Sequence, residues 1–141
     1  MADVPTIQVD IVSAEGELFS GPAAVVFAPA SQGDLGIHPR HAPLLTLLKA
    51  GEVRVQTEGQ EEQVFYVGGG ALEIQPHLVT VLADTAARAR DLDEAAALAA
   101  KQRAEDAVRN RRDQVDIAEA QAELARAIAQ LRAIERLRKK R

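Results

Sequence analysis

Hydrophobic and polar residues alternate along the first half of the chain and then change step. Ile7, Val9 and Ile11 are separated by Gln8 and Asp10, Val53 and Val55 by Arg54, Leu72 and Ile74 by Glu73, and Val79 and Val81 by Thr80. A period of two, rich in β-branched residues, marks strands with one buried face. Glu15-Gly16, Ser20-Gly21-Pro22, Glu58-Gly59 and Gln75-Pro76-His77 supply turns at short intervals. No helical stretch long enough for a βαβ crossover intervenes. An antiparallel sandwich or barrel is therefore predicted over residues 1–86.

The second part, residues 87–141, reads as helix. It is rich in alanine, glutamate and arginine, and contains neither glycine nor proline. Asp91 with Glu94, and Asp116 with Glu119, have capping-box spacing. Helices are predicted from about Asp91 to Arg109 and from about Asp116 to Lys139, joined by Asn110 to Asp113. The second helix offers the stripe Ile117, Ala120, Leu124, Ile128, Leu131 and Ile134, at steps of three and four. The first offers mainly Ala95, Leu98, Ala99, Ala107 and Val108. An alanine buries roughly one methyl, on the order of 1 kcal/mol, so this seam allows close approach with little adhesion. The hairpin is expected to be stable when docked and easily undocked.

Composition sharpens the division. The net charge of -4 hides an acidic first part, with 11 acids against 3 Lys/Arg in residues 1–86, and a basic second part, with 10 against 14. All nine glycines lie between Gly16 and Gly70 and all six prolines between Pro5 and Pro76. With 141 residues the chain suits one small domain and an appendage, not a large catalytic cleft. The absence of cysteine excludes thiolate chemistry and disulfides. Met1 to Pro5 lacks a basic stretch followed by an apolar core, and no apolar run approaches the ~20 residues that span a bilayer. Membrane association is expected only through partners.

Few groupings suggest chemistry. Gly68-Gly69-Gly70 is not followed by Lys-Ser, Lys-Thr or a helix, so it reads as a bulge or tight strand connection, not a phosphate loop. His38 and His41 have a metal-like spacing but lie between prolines without a clear third ligand. Glu61-Glu62 reads as a solvated turn. No Ser/His/Asp or acid/base set emerges. The basic end, with Arg136, Arg138, Lys139, Lys140 and Arg141, has two readings: cations opposing the helix macrodipole, or, with Arg126 and Arg132, a surface for an acidic protein. Nucleic acid is not expected, because Phe19, Phe27, Phe65 and Tyr66 all lie in the acidic part.

Three segments carry a resemblance. Gly33-Asp34-Leu35-Gly36-Ile37-His38-Pro39-Arg40-His41-Ala42-Pro43-Leu44-Leu45-Thr46 closely resembles the G-x-L-G-I-x-P-x-H-x-P-L-L-T signature of bacterial ATP synthase epsilon subunits. Val79 to Ala86, then Asp91-Leu92-Asp93-Glu94-Ala95, resembles that family's junction between sandwich and helices. Ala122 to Arg132 resembles its second helix. The resemblance implies an antiparallel β-sandwich followed by a two-helix hairpin, without catalytic activity. It further implies that the sandwich binds the gamma subunit and the ring of c subunits, and that the hairpin can extend into the alpha/beta catalytic head and inhibit ATP hydrolysis. The expected location is the cytoplasmic face of the bacterial plasma membrane, within the complex that couples proton flow to ATP synthesis.

By the same resemblance, Asp34, His38 and His41 belong to the loop facing the c ring. Arg126, Arg132, Arg136, Arg138 and Lys139 form the inhibitory basic helix. Some relatives bind ATP through Ile/Leu-Asp-x-x-Arg-Ala, which here leaves Asp93 and Arg132 as weak nucleotide-site candidates. Leu92, Asp93 and Ala97 match, but Ala96 replaces the arginine and Ala87 an upstream acid. Charge-assisted bonds contribute about 1.5 to 3 kcal/mol each, so no cofactor is expected. The alternatives weighed are a free-standing ligand-binding sandwich with an oligomerising hairpin, and an enzyme using the His38/His41 loop.

Overall fold

The computed structural model describes residues 4–110 and 114–139, with side chains in the second helix described from 117 onward. The strands are β1 (Ile7–Ser13), β2 (Gly16–Ala23), β3 (Val25–Ala30), β4 (Gly33–Ile37), β5 (Leu44–Gln56), β6 (Gln63–Gln75), β7 (Leu78–Ala83) and β8 (Ala86–Arg88), and the four alternating segments fall in β1, β5, β6 and β7. The sheet path β2-β1-β7-β6-β5-β3-β4, with β8 also on β6, folds into a β-sandwich. Pairing is antiparallel except between β1 and β7, which run parallel. That pair joins segments far apart in sequence, so no local turn signal could announce it. Ile7, Val9, Ile11, Val53, Val55, Leu72, Ile74, Val79 and Val81, the inward positions of the alternating pattern, all lie in the core around Phe65.

The glycine run is a bend. β7 pairs with β6 up to Gly70, β8 resumes on the same edge at Val67, and Asp84 and Thr85 bridge the gap through Asp84 N–H to Gly69 O and Gly68 N–H to Thr85 O. Gly70 has φ +138°, and a Cβ there would lie 2.1 Å from the Leu82 carbonyl oxygen. Only glycine fits both demands.

A 3₁₀ turn (Ala89–Asp91) leads into α1 (Glu94–Arg109) and α2 (Gln114–Lys139). The cap of α1 is Asp93, whose carboxylate accepts from Ala96 N–H at 3.2 Å, not Asp91, which belongs to the 3₁₀ turn. Both aspartates precede a glutamate-alanine run, and the extended backbone at Leu92 and Asp93 decides between them. The second helix begins at Gln114, before Asp116. The expected connection falls partly outside the described residues, which stop at Asn110 and resume at Gln114. The expected division at 86/87 falls inside β8. From β8, Arg88 donates to Leu18 O at 2.9 Å and lies 5.3 Å from the Phe65 ring centre.

α2 lies against β5, β6 and the 3₁₀ turn, and α1 packs along α2. The face of α1 differs from the expected one. Ala97 and Ala104 are buried, whereas Ala95, Ala99 and Ala107 are exposed, as is Leu98. A helix of near-uniform alanines has no periodicity to select a face, so α2 selects it. In α2 the expected stripe is half-buried apart from Ala120, and the other fully covered residues are Ala127, Ala129 and Ala133.

A fragment ending at Asp91 is expected to fold cooperatively without the helices. One ending at Ala86 should lose about 1–3 kcal/mol of stability in urea unfolding, because it forfeits the Arg88 contacts and most of β8.

Candidate functional site

The alternation of β5 and β6 that buries Val53, Val55, Phe65 and Val67 turns the intervening residues outward. Register pairs Ala50 with Gly68, Glu52 with Tyr66 and Arg54 with Val64, so these six share the sheet face that meets α2. Ala129 and Ala133, one helical turn apart, form an apolar cluster there with Val64, Tyr66 and Ala89, flanked by Ala50, Leu92 and Leu137. Gly68 has no room for a side chain: a Cβ at this position would lie 2.2 Å from Thr85 Oγ1, 2.9 Å from the Tyr66 hydroxyl and 3.3 Å from Arg126 Cδ of α2.

Two clefts flank this contact. The first, about 400 Å³, lies between α2 and strands β3 to β5 and is lined by Asp34, Lys49, Glu52, Arg54, Arg132 and Arg136, among others. Arg136 Nε donates to Glu52 Oε2 across it. Arg54 is committed elsewhere, 3.2 Å from Glu62 and 4.3 Å above the Phe27 ring. The second cleft, about 580 Å³, lies on the other flank of α2 and is lined by Tyr66, Thr85, Ala87, Leu92, Arg103 and Arg126, with Glu123 at its margin.

The basic residues of α2 divide by direction. Arg126 is half-buried over Gly68, Arg132 is exposed in the first cleft, and Arg136 binds the sandwich. Arg138 binds Glu94 of α1 and lies 3.6 Å from Glu135, while Lys139 is exposed beside Glu135 and Arg136. Asp93 is occupied as a helix cap, and Arg132 lines a cleft different from the one containing Ala87 and Leu92, so the two nucleotide-site candidates are not brought together.

The expected ring-facing residues also separate. Asp34 pairs with Pro29 near the start of β4 and lines the first cleft. His38 and His41 follow the far end of β4, roughly 13 Å along the strand. There Arg40, with φ 64°, donates its N–H to Pro76 O at 2.9 Å and ties the loop to the β6–β7 turn. His41 donates from Nδ1 to its neighbour Ala42 O at 2.7 Å. Among the described residues no group of three or more His, Asp or Glu could hold a metal. Sequence reading missed Glu52 and Tyr66; lying outward on long strands, neither carries a local signal.

On the outer surface of the other half of the sandwich, register aligns Leu47, Ala71, Leu82 and Val12 in one row across β5, β6, β7 and β1. Leu47 is 67% exposed, Leu82 52%, and neighbouring Leu45 72%. Three large exposed aliphatic residues in one patch make this a candidate interaction surface.

Comparison with known proteins agrees with this architecture. A family model described as ATP synthase, Delta/Epsilon chain, beta-sandwich domain matches residues 6–89, and its long alpha-helix domain counterpart matches residues 90–135. The chain is 65% identical over 135 residues to the ATP synthase epsilon chain of Nitrosococcus oceani, covering 96% of each. It is 63% identical over 136 residues to that of Halorhodospira halophila, again covering 96% of each. In fold it is similar to a chain of the Euglena gracilis mitochondrial ATP synthase OSCP/F1/c-ring structure, with a TM-score of 0.81 at 17% identity over 94% of this chain and 84% of that one.

Replacing Ala133 with leucine is expected to overfill the helix–sheet contact by about 1–3 kcal/mol. Hydrogen exchange should show α2 amides losing protection while β1 and β7 keep theirs. Equal loss throughout would mean that helix and sandwich unfold as one unit.

Proposed function

Because the chain belongs to the delta/epsilon family of ATP synthase subunits and is a non-catalytic epsilon subunit of the central stalk, we propose that it links the gamma subunit to the c ring and restrains ATP hydrolysis through its hairpin. The observation that carries this reading is the two-part build. The sandwich presents an outward apolar row, and a helical hairpin is attached to its other side through a small apolar cluster and an ion pair.

The row of Leu47, Ala71 and Leu82, with Leu45 beside it, is the proposed seat for gamma. It lies on the face away from α2, so gamma can stay bound whether the hairpin is docked or extended. The His38–His41 loop is the proposed contact with the c ring: its backbone is pinned at Arg40, and His38 is exposed. Extension carries Arg126, Arg132, Arg136, Arg138 and Lys139 to acidic surfaces of the alpha/beta head, where they oppose hydrolysis. Among the described residues no helix is long and apolar enough to cross a membrane. The proposed location is therefore peripheral, at the cytoplasmic face of the bacterial plasma membrane, held there by gamma and the c ring.

Leu47→Glu combined with Leu82→Glu is expected to abolish co-purification with gamma while leaving the thermal midpoint within a few degrees, since both side chains already face water. Retained gamma binding would move the seat elsewhere on the sandwich.

ATP is not required in this scheme. Ala87 and Leu92 line the second cleft where a polar partner would be needed, although Arg103 and Arg126 stand at its rim. Millimolar ATP is expected to leave the thermal midpoint of the isolated chain essentially unchanged. A ligand at a hundred times its dissociation constant would add about 2.7 kcal/mol, so an ATP-specific rise of several degrees would assign a nucleotide site to that cleft.

A further inference from the structure

Glu52 occupies an unusual place for a carboxylate. Its side chain is 13% exposed, it stands beside Tyr66 in the sheet, and it lies beneath a helix. A carboxylate withdrawn this far from water needs a cationic partner, and Arg136 supplies one from α2. Of the nearby sandwich cations, Arg54 is held by Glu62 and Phe27, and Lys49 is exposed at the cleft. The partner of Glu52 thus comes from the part that is proposed to leave.

Two residues further along, Arg138 points to α1 and pairs with Glu94. The same basic turn therefore closes two different contacts: Arg138 holds the hairpin together, and Arg136 holds the hairpin to the sandwich. The surrounding helix–sheet contact is small, with Ala129, Ala133 and Leu137 of α2 set against Val64 and Tyr66, and the Arg136–Glu52 pair closes it at its edge.

We propose that Glu52 is the latch of the docked state, and that regulation is a competition for the Arg136 guanidinium between Glu52 and an acidic surface of the catalytic head. The head-binding half of this rests on the function proposed above; the latch itself does not. One consequence is that variants of Arg136 are uninformative, because they weaken docking and head engagement together. Variants of Glu52 act only on docking, since Glu52 stays with the sandwich, and their sign is opposite to that of a lost inhibitory residue: removing the carboxylate should strengthen inhibition.

The chain carries its own reporter. Tyr66 is the single tyrosine, there is no tryptophan, and its ring is buried in the helix–sheet cluster. Quenching of tyrosine emission by acrylamide in the full chain therefore reads undocking without a label. Glu52→Gln is expected to raise the quencher-accessible fraction about fivefold, and high salt should move the unaltered chain the same way. Exchanging the charges, Glu52→Arg with Arg136→Glu, should restore protection. Unchanged quenching in Glu52→Gln, or no restoration by the exchange, would overturn the latch. If both quenching results hold, the assembled ATPase is measured with the Glu52→Gln chain. Inhibition deepened about fivefold supports the competition, whereas unchanged inhibition would leave the latch standing and overturn the proposed route of inhibition through extension.

Discussion

Among the described residues, those of α2 that are fully buried are all alanines, and the way the hairpin is held follows from that fact. Ala129 and Ala133 lie on Val64 and Tyr66, and Gly68 clears room for the stem of Arg126. Small residues permit a close approach, so the helix covers Tyr66 almost completely, yet each contributes only about 0.8 kcal/mol per buried methyl or methylene. Leucines at the same positions would not fit so close an approach. The alanine surface gives a defined geometry with modest adhesion, as the two resting places proposed for the hairpin require.

Polar contacts then set how firmly the hairpin stays. A weak apolar contact leaves a balance of a few kcal/mol, within which a single half-buried ion pair shifts populations severalfold, whereas in a leucine-rich interface the same pair would scarcely matter. The sandwich needs no such balance. Its core of Ile7, Val9, Ile11, Val53, Phe65, Leu72 and Val79 is continuous and fully covered, and the sheet face carrying Leu47 and Leu82 is not involved in holding the helices. Stability and switching reside in different layers of one small molecule.

What could be read in advance follows from the range of each interaction. Stretches of β1, β5, β6 and β7 were legible residue by residue, because alternation is local and β-branched residues sharpen it; all nine inward positions named there are buried. The glycine run was legible as something other than a phosphate loop, because the features of one were missing from its neighbours; the expected bulge or tight strand connection is a stretch inside β6 where pairing passes from β7 to β8. The face of α1 was not, since Glu94 to Ala100 holds five alanines among its seven residues and every face looks alike. The cap of α1 was misplaced by two residues, because Asp91 and Asp93 satisfy similar local rules. Of the site, the basic residues of α2 were visible as charge, but their division between Glu52 and Glu94 was not. Those pairs span 84 and 44 residues, and no periodicity connects such positions. The separation of Asp34 from His38 and His41 was hidden for a related reason: three neighbours in a sequence motif lie at two ends of one strand.

The charge imbalance between the two parts gains a physical meaning from this arrangement. An acidic sandwich and a basic hairpin attract each other at every separation shorter than a Debye length, about 8 Å at physiological salt, so the docked state is favoured before any specific pair forms. Undocking in bulk water must give up this attraction with no return. Undocking toward another acidic surface replaces it, and the generic electrostatic cost largely cancels. What remains is the difference between particular contacts, such as Arg136 with Glu52 against Arg136 with its partner elsewhere. Segregated charge thus favours the docked state, while the proposed transfer to a second acidic surface would be nearly balanced, so a hairpin with little apolar adhesion need not be loose in isolation.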